Sequence, residues 1–200
     1  DSATHLLAVE QINFYCQDVS ILCPEECAQF ACINATAAKF AIAASSFEQA
    51  RSYIDAGMRL LKPNRWDEQY SLSLELHEMS ASISCINGDI GDMSSCLHEI
   101  IAHVKSFEDS LTASSLLSKL LAASSKYDEA MSNCLSILSA LGEEFPEDVT
   151  LPHVLNELSV IQTTLANISV DQVKLLSPMK DKPKLNAMKF LSMLCSYSIQ

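Results

Sequence analysis

Apolar residues return every three or four positions along most of this chain, the spacing of one face of an α-helix. Leu6, Leu7, Val9, Ile12, Tyr15 and Cys16 predict a first helix over 4–19. Residues 20–24 read as a joint, with Pro24 suited to the first turn of the next helix and Glu25 and Glu26 favourable at its positive end. That helix is predicted over 24–45, and its middle, from Ala35 to Ala41, is rich in small side chains that let a second helix approach closely. Ser46 and Gln49 have the spacing of a capping box. They open a third helix with Ala50, Ile54, Gly57, Met58 and Leu61 inward, which Pro63 stops.

The pattern then recurs. A helix over 67–86 presents Leu72, Leu76, Met79, Ile83 and Ile86, and Asn87-Gly88-Asp89 is a turn. The helix over 92–104 carries Met93, Cys96, Leu97, Ile100, Ile101 and Val104. Ser106 with Asp109 marks the next cap, followed by a helix over 107–124 with Leu116, Leu117, Leu120 and Leu121. After a turn at 125–128, the helix to 141 turns Ala130, Met131, Cys134, Ile137, Leu138 and Leu141 inward. An acidic joint over 142–152 contains Glu143, Glu144, Glu147 and Asp148. Helices are predicted over 152–166, in a short piece that Ser169 and Gln172 open with a capping box, and from Pro183 onward with Leu185, Met188, Leu191 and Leu194.

Three of these helix pairs share a register. Their second helices enter with Ala50, Met93 and Ala130. Twelve positions earlier stand Ala38, Ala81 and Ser118, and seven positions later Gly57, Ile100 and Ile137. Small residues where two helices cross, with larger ones filling the next gap, form the tetratricopeptide pattern. The register residues are 43 and then 37 apart, against a standard period of about 34, so loops or helices are longer here. The expected fold is all-α, an α-α superhelix of tetratricopeptide-like hairpins over 1–141. Residues 142–152 form a joint, and 153–200 hold helices that continue or cap the stack. The competing architecture is an ordinary helical bundle.

Composition narrows the function. Four Gly, six Pro and 48% hydrophobic residues suit a packed helical protein. A net charge of −12 repels phosphate backbones, so nucleic acid is not the expected partner. No apolar run reaches the length of a membrane span. The chain opens at Asp1 with neither a basic flank nor an apolar signal core, which reads as a cytoplasmic segment cut from something longer. Eight cysteines sit mostly within helical apolar patterns and read as small buried hydrophobes. Cys23, Cys27 and Cys32 lack the second ligand pair of a zinc site, so no metal is expected. No phosphate-binding loop, zincin, nucleophile-elbow or kinase motif is present. No catalytic residue and no cofactor is expected. His98 and His103 lie about 140° apart around a helix, poorly placed to share an ion. His77 reads as a solvated or capping histidine, and the lone Trp66 as either an aromatic plug or a partner contact.

Several stretches in order carry a closer resemblance: His5-Leu6-Leu7-Ala8, Ala37-Ala38-Lys39, Tyr53 to Leu61, Trp66, Tyr70, Leu74-Glu75-Leu76-His77, Asn87-Gly88-Asp89 and Tyr127-Asp128-Glu129-Ala130. Ile168 to Gln172, Leu175 to Met179 and Ala187 to Leu191 complete the series. In these the chain resembles the tetratricopeptide-like helical region that follows the predicted AAA/STAND-type ATPase module of large multidomain serine/threonine and histidine signalling kinases. Ile90 and Gly91 depart from it, standing where that family has an aromatic and an acidic residue. The resemblance implies a regulatory, protein-binding segment. Kinase activity and ATP binding would belong to other parts of the parent chain. The partner would be a protein, a peptide or a neighbouring domain. The alternative reading is a histidine-phosphotransfer module using His77 or His103, and a third is a small-molecule pocket between helices.

Overall fold

The computed structural model describes residues 2–16, 18–146 and 149–199, and every regular element among them is helical. Glu147 and Asp148 of the acidic joint lie outside the described residues. The helices are α1 (Ser2–Tyr15), α2 (Pro24–Ala43), α3 (Phe47–Arg59), α4 (Arg65–Glu68), α5 (Tyr70–Asn87) and α6 (Ile90–His103). They continue as α7 (Phe107–Ala123), α8 (Tyr127–Ala140), α9 (Leu151–Ala166), α10 (Val170–Lys174) and α11 (Lys182–Tyr197). No helix among the described residues is long and apolar enough to cross a membrane. The chain divides into two compact units, Asp1–Ala130 and Met131–Gln200, so the boundary falls within α8.

In the first unit the helices pack chiefly on their near neighbours in the chain. α2 meets α3 and α5, α3 meets α5, α5 meets α6 and α7, and α6 meets α7, while α1 lies on α2. The turns joining the pairs are built alike. Ser45 (φ 58°), Gly88 (φ 73°) and Ser125 (φ 59°) adopt the left-handed conformation. One residue later, Ser46, Asp89 and Lys126 donate their N–H groups to the carbonyls of Ala41, Ser84 and Leu121 at 2.8, 2.8 and 2.9 Å. This six-residue bond closes the end of a helix and satisfies a carbonyl the helix leaves open. Each left-handed residue stands five positions before Ala50, Met93 or Ala130. The N–H groups of these three residues in turn donate to the carbonyls of Ser46, Asp89 and Lys126 at 2.9, 3.1 and 3.0 Å.

The helices meet through small side chains. Ala38, Ala50, Ala81, Ser118 and Ala130 have no exposed surface, Met93 is 3% exposed and Gly57 is buried. Ala38, Ala50 and Ile54 share one core cluster with Val9, Tyr53 and Ile83. Ala81, Met93, Leu97 and Ile100 share another with Trp66, Leu74, Ala113 and Leu116. Burying each Leu, Ile or Val contributes about 1.5–3 kcal/mol. At Gly57 an added Cβ would stand 3.1 Å from Leu76 Cδ2 and 3.4 Å from Asn34 Cβ, so α3 wedges here between α2 and α5. Polar ties cross the same seams. Asn13 and Asn34 exchange two amide bonds of 2.8 Å between α1 and α2. Arg51 of α3 donates from Nη1 to Ser84 Oγ of α5 at 2.9 Å and from Nη2 to Asp92 of α6.

Several local expectations are corrected. The first helix ends at Tyr15 rather than 19, because Asp18 Oδ1 accepts from Ser20 N (3.0 Å) and Ser20 Oγ (2.6 Å) and caps a separate 3₁₀ turn over Val19–Ile21. Ser46 makes no side-chain cap bond, as its backbone already closes the preceding turn. The helix predicted over 67–86 is broken at Gln69 (φ −128°, ψ 36°), whose Oε1 accepts from Lys62 N at 2.9 Å and holds the loop before α4. Leu7, Tyr15, Ile86 and Ile101, expected inward, are exposed.

The second unit buries Cys134, Leu138, Ala187 and Phe190. In α11 the buried positions are Ala187 and Phe190, while Leu185 and Met188 face solvent, so the predicted stripe is displaced around the helix. Lys184 Nζ of α11 pairs with Glu143 Oε1 of the acidic joint at 2.5 Å. The predicted box at Ser169 and Gln172 is present, with Ser169 N to Gln172 Oε1 at 2.7 Å and Gln172 N to Ser169 Oγ at 3.2 Å. No residue of α9 is buried.

The recurring turn makes a direct prediction. A serine in the left-handed region costs about 1 kcal/mol that glycine does not. Ser45→Gly and Ser125→Gly should each raise the melting temperature, and Gly88→Ala should lower stability by about 1 kcal/mol. Thermal and urea melts followed by circular dichroism give the answer; a Ser45→Gly protein no more stable than its parent would refute the shared turn.

Candidate functional site

α4 is a single helical turn with two different sides. Trp66 is 7% exposed and belongs to the core, whereas Asp67 and Glu68 face solvent. With Ala28 and Cys32 of α2, Gln69, and Tyr70, Ser71 and Leu72 of α5, these two carboxylates line a shallow groove on the first unit. Glu68 pairs with Lys62 Nζ at 2.6 Å, and that bond holds its carboxyl below the usual range. Further along α5, Glu75 pairs with Lys39 of α2.

The groove wall is braced by an aromatic cluster. The Trp66 ring stacks on His103 with centroids 4.8 Å apart and planes within 3°, and meets His77 at 4.9 Å and Tyr70 at 6.2 Å. Trp66 Nε1 donates to Glu99 Oε2 at 3.3 Å, which Arg65 Nη2 also reaches at 3.5 Å. Tyr70 joins cluster and groove: its hydroxyl donates to Asp109 Oδ2 and accepts from Lys105 N, both at 2.9 Å. Lys105 Nζ sits 4.4 Å above the Tyr70 ring and donates to Trp66 O at 3.1 Å. A cation over an aromatic face contributes about 0.5–2 kcal/mol. The residues that set the end of α6, the α6–α7 loop and the start of α7 are thereby tied to α4 and α5.

His77 overturns its sequence reading. It is 2% exposed, not solvated, and its Nδ1 bonds Ser73 O at 2.6 Å. It belongs to a polar line on α5, Ser73, His77, Ser80 and Ser84, all buried. Each member has a partner: Ser73 Oγ donates to Arg65 O at 3.2 Å, Ser80 Oγ accepts from Cys96 Sγ at 3.3 Å, and Ser84 Oγ accepts from Arg51. Buried polar groups stay folded only when bonded in this way. Burial is also the main force that drives the His77 pKa down and the Cys96 thiol up. Two signals for this line stand in the sequence, the 4-3-4 spacing and the lack of charge, but both also suit an outward polar face.

Among the described residues no three His, Cys, Asp or Glu side chains gather as metal ligands. The eight cysteines are free thiols. Phosphoryl transfer requires an imidazole nitrogen open to a partner domain. His77 is closed off, whereas His103 is exposed; its ring face lies on Trp66 and its Nδ1 bonds Glu99 O at 2.9 Å. Comparison with protein families, with curated proteins and with solved structures gives no match to this chain.

The depressed His77 pKa sets a pH dependence. The unfolded imidazole takes a proton near its ordinary value of about 6.5, while the folded one resists until lower pH. This contribution to stability is therefore intact above pH 7 and lost as pH falls through about 6.5 toward the folded value. The urea midpoint of the parent protein should fall between pH 7.5 and 5.5 more than that of His77→Phe. Equal falls in the two proteins would exclude a titrating His77.

Proposed function

We propose that residues 24–130 form a tetratricopeptide-like interaction module whose groove between α2 and α4–α5 receives a basic or amphipathic segment. The observation that carries this reading is the shared hairpin: three left-handed turns, each five residues before a fully or almost fully buried register residue. Stacked hairpins of this kind leave extended surfaces along their first helices, and repeat proteins bind peptides there. The groove's Asp67 and Glu68 and the net charge of −12 favour a cationic ligand. The ordered stretches of resemblance further support a cytoplasmic, regulatory segment of a larger ATP-dependent signalling kinase. In that setting the segment has no catalytic site, and the ligand is a partner protein or a neighbouring domain. The burial of His77 speaks against its use in the phosphotransfer alternative.

The test is direct binding. A labelled amphipathic peptide rich in Lys and Arg should bind in fluorescence anisotropy, with affinity falling as salt shortens the range of the charges. A Glu-rich peptide of the same pattern should not bind. Asp67→Lys combined with Glu68→Lys should weaken the basic peptide about tenfold or more, as two attractive contacts become repulsive. Equal affinity for both peptides, or none for either, would defeat the proposal.

A further inference from the structure

In the second unit α9 carries a row of apolar side chains, none of them buried. Leu151, Val154, Leu158, Ile161 and Leu165 are separated by three, four, three and four residues. This is the a/d alternation of a coiled-coil seam. Together with Leu155 beside the seam, these side chains are between 41% and 70% exposed. None of these α9 side chains is buried.

The polar residues of α9 limit what the seam can receive. Over 151–168, Glu157 is the single Asp, Glu, Lys or Arg. A helix lying on an anionic membrane needs Lys and Arg on its polar face, and α9 has neither. A charged peptide would find one carboxylate to pair with, and it would bury the seam against unmatched charge. The positions flanking the seam are Leu155, Glu157, Gln162 and Thr164, nearly neutral in a chain of net charge −12. Two copies therefore meet here without the repulsion that the rest of the acidic surface would impose. The complementary surface is another helix with a neutral, leucine-rich seam of the same 3-4 spacing, which a second copy of this chain supplies.

We propose that α9 is a homodimerisation helix whose Leu151–Leu165 seam pairs with the same seam of a second copy. Each copy contributes roughly 600 Å² of apolar surface, so the pair removes roughly 1,200 Å² from water, the lower edge of specific interfaces. An interface this small is at the weak end of specific association. This is independent of the peptide groove, which belongs to the first unit.

Sedimentation velocity of the full chain from about 1 to 200 μM tests it around the affinity expected of so small an interface. The parent protein should pass from monomer to dimer over that range. Leu158→Lys, at the centre of the seam, should raise the dissociation constant at least tenfold. Because it lowers the net negative charge, a change in general repulsion would act in the opposite direction. Ser159→Lys makes the same charge change beside the seam and should leave the dimer intact. Circular dichroism melts check that both variants keep the parent fold, which their exposed positions favour. A parent protein that stays monomeric throughout, or a dimer indifferent to Leu158→Lys, would overturn the assignment and leave the seam to a different protein.

Discussion

The first unit depends on how closely the two helices of each hairpin approach. With Ala38 and Ala50 at one crossing and Ala81 and Met93 at the next, all buried, the helix axes lie near enough for Ile54, Leu97 and Ile100 to fill the flanking gaps. Such packing tolerates little extra volume, and Gly57 shows how little, as a single Cβ would press on Leu76 and Asn34. The left-handed turn is the covalent half of the same constraint. It reverses the chain in few residues and closes the helix end with a backbone bond, which brings the next helix back into the register its small residues require.

α5 occupies the centre of this arrangement and takes its character from it. It packs against α2, α3, α4, α6 and α7, so more than one of its faces is withdrawn from water. Leucine and isoleucine alone do not account for its buried surface, since Ser73, His77, Ser80 and Ser84 are also buried and bonded. Their partners come from α3, α4, α5 and α6. The line fixes neighbouring helices at defined angles, where a purely apolar face would allow more than one packing. Through Trp66 and Tyr70 the same region holds the groove's acidic rim on a rigid base. A binding surface held in shape before its ligand arrives avoids the entropy of ordering itself.

The two units use their apolar residues in contrasting ways. In the first, Ala38, Ala50, Ala81 and Met93 are buried. In the second, α9 has the more regular apolar spacing and no buried residue. An a/d seam flanked by Leu155 presents one face, which suits a single partner helix, whereas α5 serves several neighbours.

Much of this was legible in the residues. Helix type and order followed from the three-to-four spacing, and the hairpin register from Ala38, Ala50, Ala81, Met93, Ser118 and Ala130, because small side chains and turn residues act over a few positions. The turns at Gly88 and Ser125 and the helix boundary at Ser45 were expected, but the left-handed backbone of the two serines was not, since serine has no preference for that region. The break at Gln69 and the early end of α1 came from side chains capturing nearby backbone groups, which competes with helix formation without altering the apolar period. The burial of His77 and the assembly of Trp66, Tyr70, Lys105 and His103 were decided only by tertiary structure. A periodic pattern states which residues share a face; how many faces a helix must bury depends on how many neighbours surround it, and that number is a property of the packed chain.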